Sequence, residues 1–157
     1  MTLALEQAQI AYALGEIPVG AVIVRDGIVI ASAHNRRELD KNPTAHAEVL
    51  AIQQAASVIG DWRLDGCQIY VTLEPCAMCA GALWASRITH CVYAASDPRS
   101  GFLGSVHDIT QHTVLNHHYT VQKGIQEQES VTLLQNFFRG IREQKKRKKK
   151  DAYPHTK

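Results

Sequence analysis

The spacing of apolar residues along the chain predicts alternating helices and strands. Apolar residues recur every three or four positions across residues 3–14, which predicts an opening amphipathic helix. Two β-branched runs follow, at residues 19–24 and 28–33, and the Asp-Gly pair between them favours a tight hairpin turn. The chain is therefore expected to begin with a helix and a β-hairpin.

The middle of the chain continues this alternation. Residues 45–59 predict a helix with Val49, Ile52 and Ala56 on its apolar stripe. Further elements are predicted as a strand at 68–73, a helix at 75–85, a strand at 90–94 and a short strand at 119–122. Helices follow strands closely enough to indicate a layered α/β domain.

The last third of the chain has a weaker pattern. Residues 96–116 are polar and give no clear element, and loops of that length tend to carry function. Val131, Leu134 and Phe138 then step at helical spacing, which predicts a final helix with Phe138 on its apolar stripe and Phe137 off it.

Charge is distributed unevenly between this domain and its C-terminal end. Residues 1–138 hold 8 Lys/Arg and 13 Asp/Glu, whereas residues 139–157 hold 9 and 2. We expect one folded domain at residues 1–142 and a basic, partly disordered tail at residues 143–157. The charges of such a tail usually serve solubility, but they can also bind the phosphate backbone of a nucleic acid.

Nothing in the sequence indicates export or a membrane. The N-terminal residues lack the basic start and long apolar core of a signal peptide, and no apolar run approaches the length of a membrane span. Two of the 4 cysteines form a C-x-x-C pair and the other two lie in apolar, strand-like runs. A cytoplasmic protein is the expectation.

Four residues form the most specific motif of the chain. His46 and Glu48 give H-x-E, and Cys76 and Cys79 follow Pro75 in P-C-x-x-C. Catalytic zinc sites keep three protein ligands and leave the fourth position for water, so His46, Cys76 and Cys79 are the candidate ligands of Zn²⁺. Glu48 is then placed to move protons between an activated water and a departing amine, which is hydrolytic deamination of a nucleobase.

The same motif has less specific interpretations. A lone C-x-x-C is also found in redox pairs and in structural zinc sites, and Cys67 or another histidine could close a four-ligand site. The combination of H-x-E with P-C-x-x-C favours catalysis.

Longer runs around the motif resemble the zinc-dependent cytidine/deoxycytidylate deaminase superfamily and, within it, the bacterial tRNA-specific adenosine deaminase family. The resemblance covers residues 5–142, so the domain at residues 1–142 is expected to be a zinc-dependent deaminase domain. The matching runs are 18–22 (PVGAV), 34–36 (HNR), 42–48 (NPTAHAE), 70–76 (YVTLEPC) and 78–82 (MCAGA).

This resemblance implies a three-layer α/β/α fold of the cytidine-deaminase type around a central mixed five-stranded sheet. The implied activity is conversion of adenosine to inosine at wobble position 34 of a tRNA anticodon, chiefly of arginine tRNA, by a homodimer with one Zn²⁺ per subunit. The residues implied to contact the anticodon stem-loop are Asn35, Asp97, Arg99, Asn116, His117, Phe137, Phe138 and Arg139.

Some of these roles also have a physical argument. The Asn35 amide can hydrogen-bond a ribose or base edge, or can simply shape a turn. Phe137, off the apolar stripe, is the better candidate to stack on a splayed base, although both phenylalanines could be core residues. Asp97, Pro98, Arg99 and Gly101 could form no more than a turn, although Arg99 suits a phosphate.

Two other functions use the same residues. A free-base or nucleotide deaminase of the guanine or cytosine type needs the same zinc and glutamate, but has little use for a basic tail. A nucleic-acid-binding module with a structural zinc would need a fourth protein ligand.

Overall fold

The order of helices and strands follows the predicted order. The computed structural model describes residues 1–152, and the side chains of residues 1–149. The elements are α1 (Thr2–Ala13), β1 (Gly20–Arg25), β2 (Ile28–His34), α2 (Ala47–Ile59), β3 (Cys67–Leu73), α3 (Ala77–Ala85), β4 (His90–Ala95), β5 (Thr120–Lys123) and α4 (Glu127–Ala152).

The five strands form one mixed sheet in the order β2-β1-β3-β4-β5. β1 is antiparallel to both of its neighbours, whereas β3, β4 and β5 run parallel to one another. α1 and α4 pack against one face of the sheet, and α2 and α3 pack together on the other. The predicted α/β/α fold with a central mixed five-stranded sheet is therefore confirmed.

The face of α2 that meets the sheet differs from the predicted stripe. Ala47, Ala51 and Ala55 are fully buried, whereas the predicted stripe residues Val49 and Ile52 are only partly buried. Alanines four residues apart share one side of a helix, and their small side chains let the helix lie close to the strands. Ile52 and Ala56 of the predicted stripe pack against the edge of this contact, and the alanine face lies closest to the strands.

Close contact also fixes α1 against β1. A side chain at Gly20 would place its Cβ 2.0 Å from the carbonyl oxygen of Ala4, inside the backbone of α1. Only glycine fits this contact, which sets the position of α1 and of the segment that joins it to β1.

The last helix continues into the basic end of the chain. α4 has 26 residues and extends through Ala152, so it includes residues 143–152 of the expected tail. Lys, Arg, Gln and Glu dominate this segment and have high helix propensity, and positive charge is favourable near a helix C-terminus. Residues 153–157 lie outside the described part of the chain, and the expected domain boundary at residue 142 stays a prediction.

Length and hydropathy together decide whether a helix can span a membrane. Within residues 1–152, no helix is both long enough and apolar enough to cross a bilayer.

Candidate active site

Four segments of the chain meet at one edge of the sheet. β3 and β4 are parallel, so the segments that follow them, beginning at Glu74 and Ser96, leave the sheet at the same edge. β1 is antiparallel to β3 and to β2, so the segment before β1 and the segment after β2 lie at this edge too. The N–H of Arg36 donates to the carbonyl of Ala45 over 3.0 Å, which holds the start of α2 there.

Two helix N-termini bring the predicted metal ligands together at this edge. His46 is the N-cap of α2 and Cys76 is the N-cap of α3, with Cys79 in the first turn of α3. His46 Nδ1 lies 3.5 Å from the Sγ of Cys79 and 3.8 Å from the Sγ of Cys76, and all three ligand atoms lie within 4.8 Å of one another.

These separations fit a tetrahedral zinc site. Zn–S and Zn–N bonds of about 2.3 and 2.0 Å at a tetrahedral angle put nitrogen and sulfur about 3.5 Å apart. Within the described residues, no fourth His, Cys, Asp or Glu joins the group. Cys67 begins β3 at the opposite edge of the sheet, so it cannot complete a closed structural site with Cys76.

The electrostatics of the cluster favour a cation. The hydrogen bond with Cys79, together with that to His46, lowers the pKa of Cys76 to about 4. The same bond to Cys76, with burial, raises the pKa of Cys79. Binding a metal through both sulfurs would require both cysteines as thiolates.

Glu48 lies beside this cluster and is almost completely buried. Its side chain is 4% exposed, and burial raises its pKa to about 7. A carboxyl group in such surroundings exchanges a proton readily near neutral pH, which is the requirement for a general base that later acts as an acid.

A cavity of about 600 Å³ opens over the ligands and Glu48. Its wall contains four of the predicted substrate contacts, which are Asn35, Asp97, Arg99 and Phe138. This volume is within the range of small-molecule sites and large enough for a nucleoside. The sequence motif and these predicted RNA-contact residues thus share one concave surface.

Asp97 shapes the loop rather than offering a carboxylate to a ligand. Its side chain accepts hydrogen bonds from the backbone N–H groups of Arg99 (2.9 Å) and Ser100 (3.3 Å), and also from the Ser100 hydroxyl. These contacts agree with the other interpretation of Asp97, as a residue that stabilises a turn. Arg99 makes none of the ion pairs found among the described residues, so its guanidinium remains available at the rim of the cavity.

Glu74 fixes the loop that carries these residues, a role that the sequence did not indicate. Its buried carboxylate accepts hydrogen bonds from the N–H groups of Asp97 (2.9 Å), Leu103 (3.0 Å) and Ser105 (3.0 Å), and from the Ser105 hydroxyl. A Cβ at Gly101 would lie 2.3 Å from the carboxyl carbon of Glu74. The loop therefore closes tightly around one carboxylate, two residues before the candidate ligand Cys76.

The rotation of α4 reverses the predicted roles of the two phenylalanines. Phe137 is 8% exposed and packs edge-to-face on Tyr12 with ring centroids 5.6 Å apart, whereas Phe138 is 41% exposed and lines the cavity. The Ser130 hydroxyl donates to the Thr72 carbonyl and ties the helix to β3. Phe137 lies seven residues after Ser130, and therefore shares its buried face.

The same rotation places Arg139, a predicted RNA contact, outside the cavity wall. Arg139 donates to Asn136 Oδ1 over 2.7 Å, whereas Arg142, one turn after Phe138, lines the cavity. Arg37, in the segment after β2, also lines it. Sequence reasoning missed Arg37 and Arg142, although the four-residue spacing between Phe138 and Arg142 was a usable signal.

Asn116 and His117 are not part of the cavity. They precede β5, whose first residue pairs with His90 at the start of β4, so they lie at the opposite edge of the sheet from Cys76. His117 Nε2 contacts the carbonyl oxygen of Ile88 over 2.7 Å. The parallel direction of β5 is the reason that they are distant from the ligands, and their contact with RNA stays a prediction.

The profile of the MafB19-like deaminase family matches residues 1–142. The chain is 44% identical over 148 residues to a tRNA-specific adenosine deaminase of Bacillus subtilis, covering 94% of this chain and 92% of the relative. A solved structure from studies of A-to-I editing by tRNA:A34 deaminases at the wobble position of transfer RNA is 44% identical, with a TM-score of 0.81 over 85% of this chain and 97% of that one. A guanine deaminase from Bacillus subtilis is 43% identical, with a TM-score of 0.58 over 60% and 61% of the two chains.

The Glu74 contacts predict a local effect of Gly101→Ala. The added methyl group collides with the Glu74 carboxylate, so the loop must shift, and we expect a decrease of about 1–3 kcal/mol in the free energy of unfolding. Hydrogen exchange at the amides of Asp97, Leu103 and Ser105 should become faster, because these amides lose their acceptor.

The matched control is Gly140→Ala in α4, where an added Cβ meets nothing within 4 Å. It should leave the loop amides unchanged and stabilise the helix by up to about 1 kcal/mol. Unchanged exchange in Gly101→Ala would contradict the role given to Glu74.

Proposed function

Because the chain belongs to the MafB19-like deaminases and, within them, to the tRNA-specific adenosine deaminase family, we propose that it converts adenosine to inosine by hydrolysis at wobble position 34 of a tRNA anticodon. The observation that carries this proposal is the three-ligand cluster beside a buried glutamate in an open cavity with an aromatic and basic rim. A structural zinc site has four protein ligands and no open position, so it would not account for the buried Glu48 or for the cavity beside it.

The cofactor in this proposal is one Zn²⁺ per subunit, held by His46, Cys76 and Cys79. Bound there, it would supply Lewis-acid activation of a water molecule. The two cysteines offer thiolates at a helix N-terminus, where negative charge is favoured, and the histidine offers Nδ1.

Glu48 performs the proton transfers of the reaction. As a carboxylate it accepts a proton from the attacking water and donates it to the ring nitrogen. It then accepts the proton of the hydroxyl group that has added to the ring carbon and donates it to the amino group, which leaves as ammonia. Its raised pKa suits both directions of transfer, since neither protonation state is strongly disfavoured near neutral pH.

The wall of the cavity positions the RNA loop. Phe138 offers an exposed ring on which a splayed base can stack, and Asn35 lies at the wall for contact with the target nucleoside. Arg37, Arg99 and Arg142 surround the opening, where their guanidinium groups can pair with phosphates of the loop.

The remaining parts of the proposal concern the molecules around the enzyme. The main substrate would be an arginine tRNA, and the site of action would be the cytoplasm, where tRNA is found. We also propose a homodimer, since Val58 and Trp62 leave apolar side chains 65% and 53% exposed near the end of α2. The catalytic domain would comprise residues 1–142, with residues 143–157 as a basic extension.

The first test of the function is Glu48→Ala. The purified protein should form inosine in an anticodon stem-loop, and the variant should lose this activity by at least about 100-fold because no group replaces the proton carrier. The measurement is inosine formed per folded enzyme, with zinc content determined in parallel.

His46→Ala is the matched control, because it should lose both activity and zinc, whereas Glu48→Ala should keep its zinc. Full activity of Glu48→Ala would refute the proposed mechanism. Sequencing of total tRNA with and without the enzyme then identifies which tRNAs are accepted.

A free-base deaminase is the second candidate function. The similarity to a guanine deaminase over 60% of the chain favours it, and the zinc ligands and Glu48 would serve it equally well. Turnover of guanine or free cytidine as fast as that of the stem-loop would replace the tRNA proposal with this one.

The two phenylalanines of α4 should respond differently to alanine. Phe138→Ala removes a stacking surface, so kcat/KM for the stem-loop should fall about 10- to 100-fold with little change in stability. Phe137→Ala leaves a core cavity against Tyr12, so it should cost about 3–5 kcal/mol of stability and keep near-normal kcat/KM per folded molecule. Equal decreases of kcat/KM in both variants would contradict this assignment.

The basic part of α4 should contribute salt-dependent affinity. Replacing Lys145, Lys146, Lys148 and Lys149 by glutamine should raise the Kd for the stem-loop and reduce the slope of log K against log salt by about 0.7–0.9 for each phosphate that is no longer neutralised. Arg25→Gln, at the opposite edge of the sheet from the cavity, is the control and should leave the slope unchanged. An unchanged slope in the quadruple variant would show that these lysines do not contact RNA phosphates and serve only solubility.

A further inference from the structure

A buried glutamate, Glu16, holds the side chain of Asn35. Glu16 takes no part in the proton transfers of the proposed reaction. Glu16 lies between α1 and β1 and is 1% exposed. Its Oε2 accepts a hydrogen bond from Asn35 Nδ2 over 3.0 Å, and its Oε1 accepts one from the backbone N–H of Leu39 over 2.7 Å. Both carboxylate oxygens are therefore satisfied by the segment that follows β2.

These contacts decide which end of the Asn35 amide faces the ligand. An asparagine side chain carries an NH₂ donor and a carbonyl acceptor of nearly equal size, and only its partners fix the orientation. Both partners of Nδ2 are acceptors, namely the Glu16 carboxylate and the Ile17 carbonyl at 3.4 Å. A flipped amide would place its own oxygen against these two acceptors, which is unfavourable.

Asn35 Oδ1 is consequently the polar atom left over for a ligand. It accepts no hydrogen bond from the described residues, and Asn35 forms part of the cavity wall together with His46 and Glu48. The amide can therefore offer an acceptor to the cavity, while its donor is committed to Glu16.

We propose that Glu16 is a positioning residue that locks Asn35 as a hydrogen-bond acceptor, so that the enzyme selects substrates with a donor at this point. The inference rests on the proposed function and names the polarity of one contact within it. In a nucleoside inside an RNA chain, the available donors are the 2′-hydroxyl of the sugar and the exocyclic amino group of the base. The lock favours a substrate that presents one of these groups to Oδ1.

Exchanging the two side-chain types tests the polarity directly. Asn35→Asp alone sets two carboxylates against each other, and kcat/KM should fall about 100-fold or more. Glu16→Gln alone lets the Asn35 amide face either way, and KM should rise about 3- to 10-fold with kcat little changed.

The double variant Glu16→Gln/Asn35→Asp restores the contact with position 16 in reverse and loses only the longer one, at 3.4 Å, to the Ile17 carbonyl. The new amide at position 16 would donate to the new carboxylate at position 35, and its carbonyl would still accept from the N–H of Leu39. The second oxygen of that carboxylate would face the substrate as an acceptor, so activity should return to within about 10-fold of the wild type. A double variant that folds, binds zinc and remains as inactive as Asn35→Asp would overturn the proposal, because Asn35 would then be needed as a donor.

A substrate change gives a second readout that needs no change at Glu16. A stem-loop with 2′-deoxyadenosine at the target position is compared with the RNA form, in the wild type and in Asn35→Ala. A penalty that disappears in Asn35→Ala assigns the donor to the 2′-hydroxyl, and an equal penalty in both enzymes assigns it to the base amino group. Wild-type activity of Asn35→Ala on both substrates would overturn the proposal, since Asn35 would then make no contact that matters.

The wild-type enzyme separates this inference from the function on which it rests. A wild type that forms no inosine in the stem-loop refutes the proposed function. An active wild type with an inactive, folded double variant refutes only the lock.

Discussion

The parallel pairing of β3 with β4 is the constraint from which the active site follows. Parallel strands deliver their following segments to one edge, so Cys76 and the loop that begins at Ser96 reach the same place although 20 positions separate them in sequence. The antiparallel hairpin of β1 and β2 then adds Asn35 from the other side. A shift of β3 by one residue would exchange its two faces and move the ligand that follows it.

Three buried carboxylates belong to this end of the sheet: Glu48 lines the cavity, and Glu16 and Glu74 are each adjacent in sequence to a residue that does. Glu74 accepts four hydrogen bonds from one loop, and Glu16 accepts two from the segment after β2. These bonds offset the cost of removing charge from water, which is several kcal/mol for each group. Glu48 is buried with much less compensation, so its pKa rises instead. Glu74 and Glu16 hold loop segments in place, whereas Glu48 lies beside the candidate metal ligands.

Local signals in the sequence were enough for the elements and for the ligands. An Asp-Gly turn between β-branched runs identifies the hairpin, and H-x-E with P-C-x-x-C identifies the metal cluster, because each signal lies within a few residues. The rotation of α4 could not be predicted this way. It depends on a serine hydroxyl bonded to the carbonyl of Thr72 and on the ring of Tyr12, and both partners come from distant parts of the chain. Glu74 and Glu16 were missed for a similar reason, since most of their partners are backbone N–H groups that every sequence contains.

The unbroken length of α4 fixes the spacing between the cavity and the basic end of the chain. The helix runs from the cavity wall at Phe138 into the lysine-rich segment without interruption, and 11 residues at about 1.5 Å each place Lys149 about 16 Å along the axis from Phe138. The positive charges thus lie at a set distance from the cavity, on a continuous helix rather than on a flexible segment. Under the proposed function, an RNA whose stem lies at that distance from its extruded base would gain these contacts, and a short or unstructured oligonucleotide would not. Selection by spacing would then operate without any contact to the identity of the stem sequence.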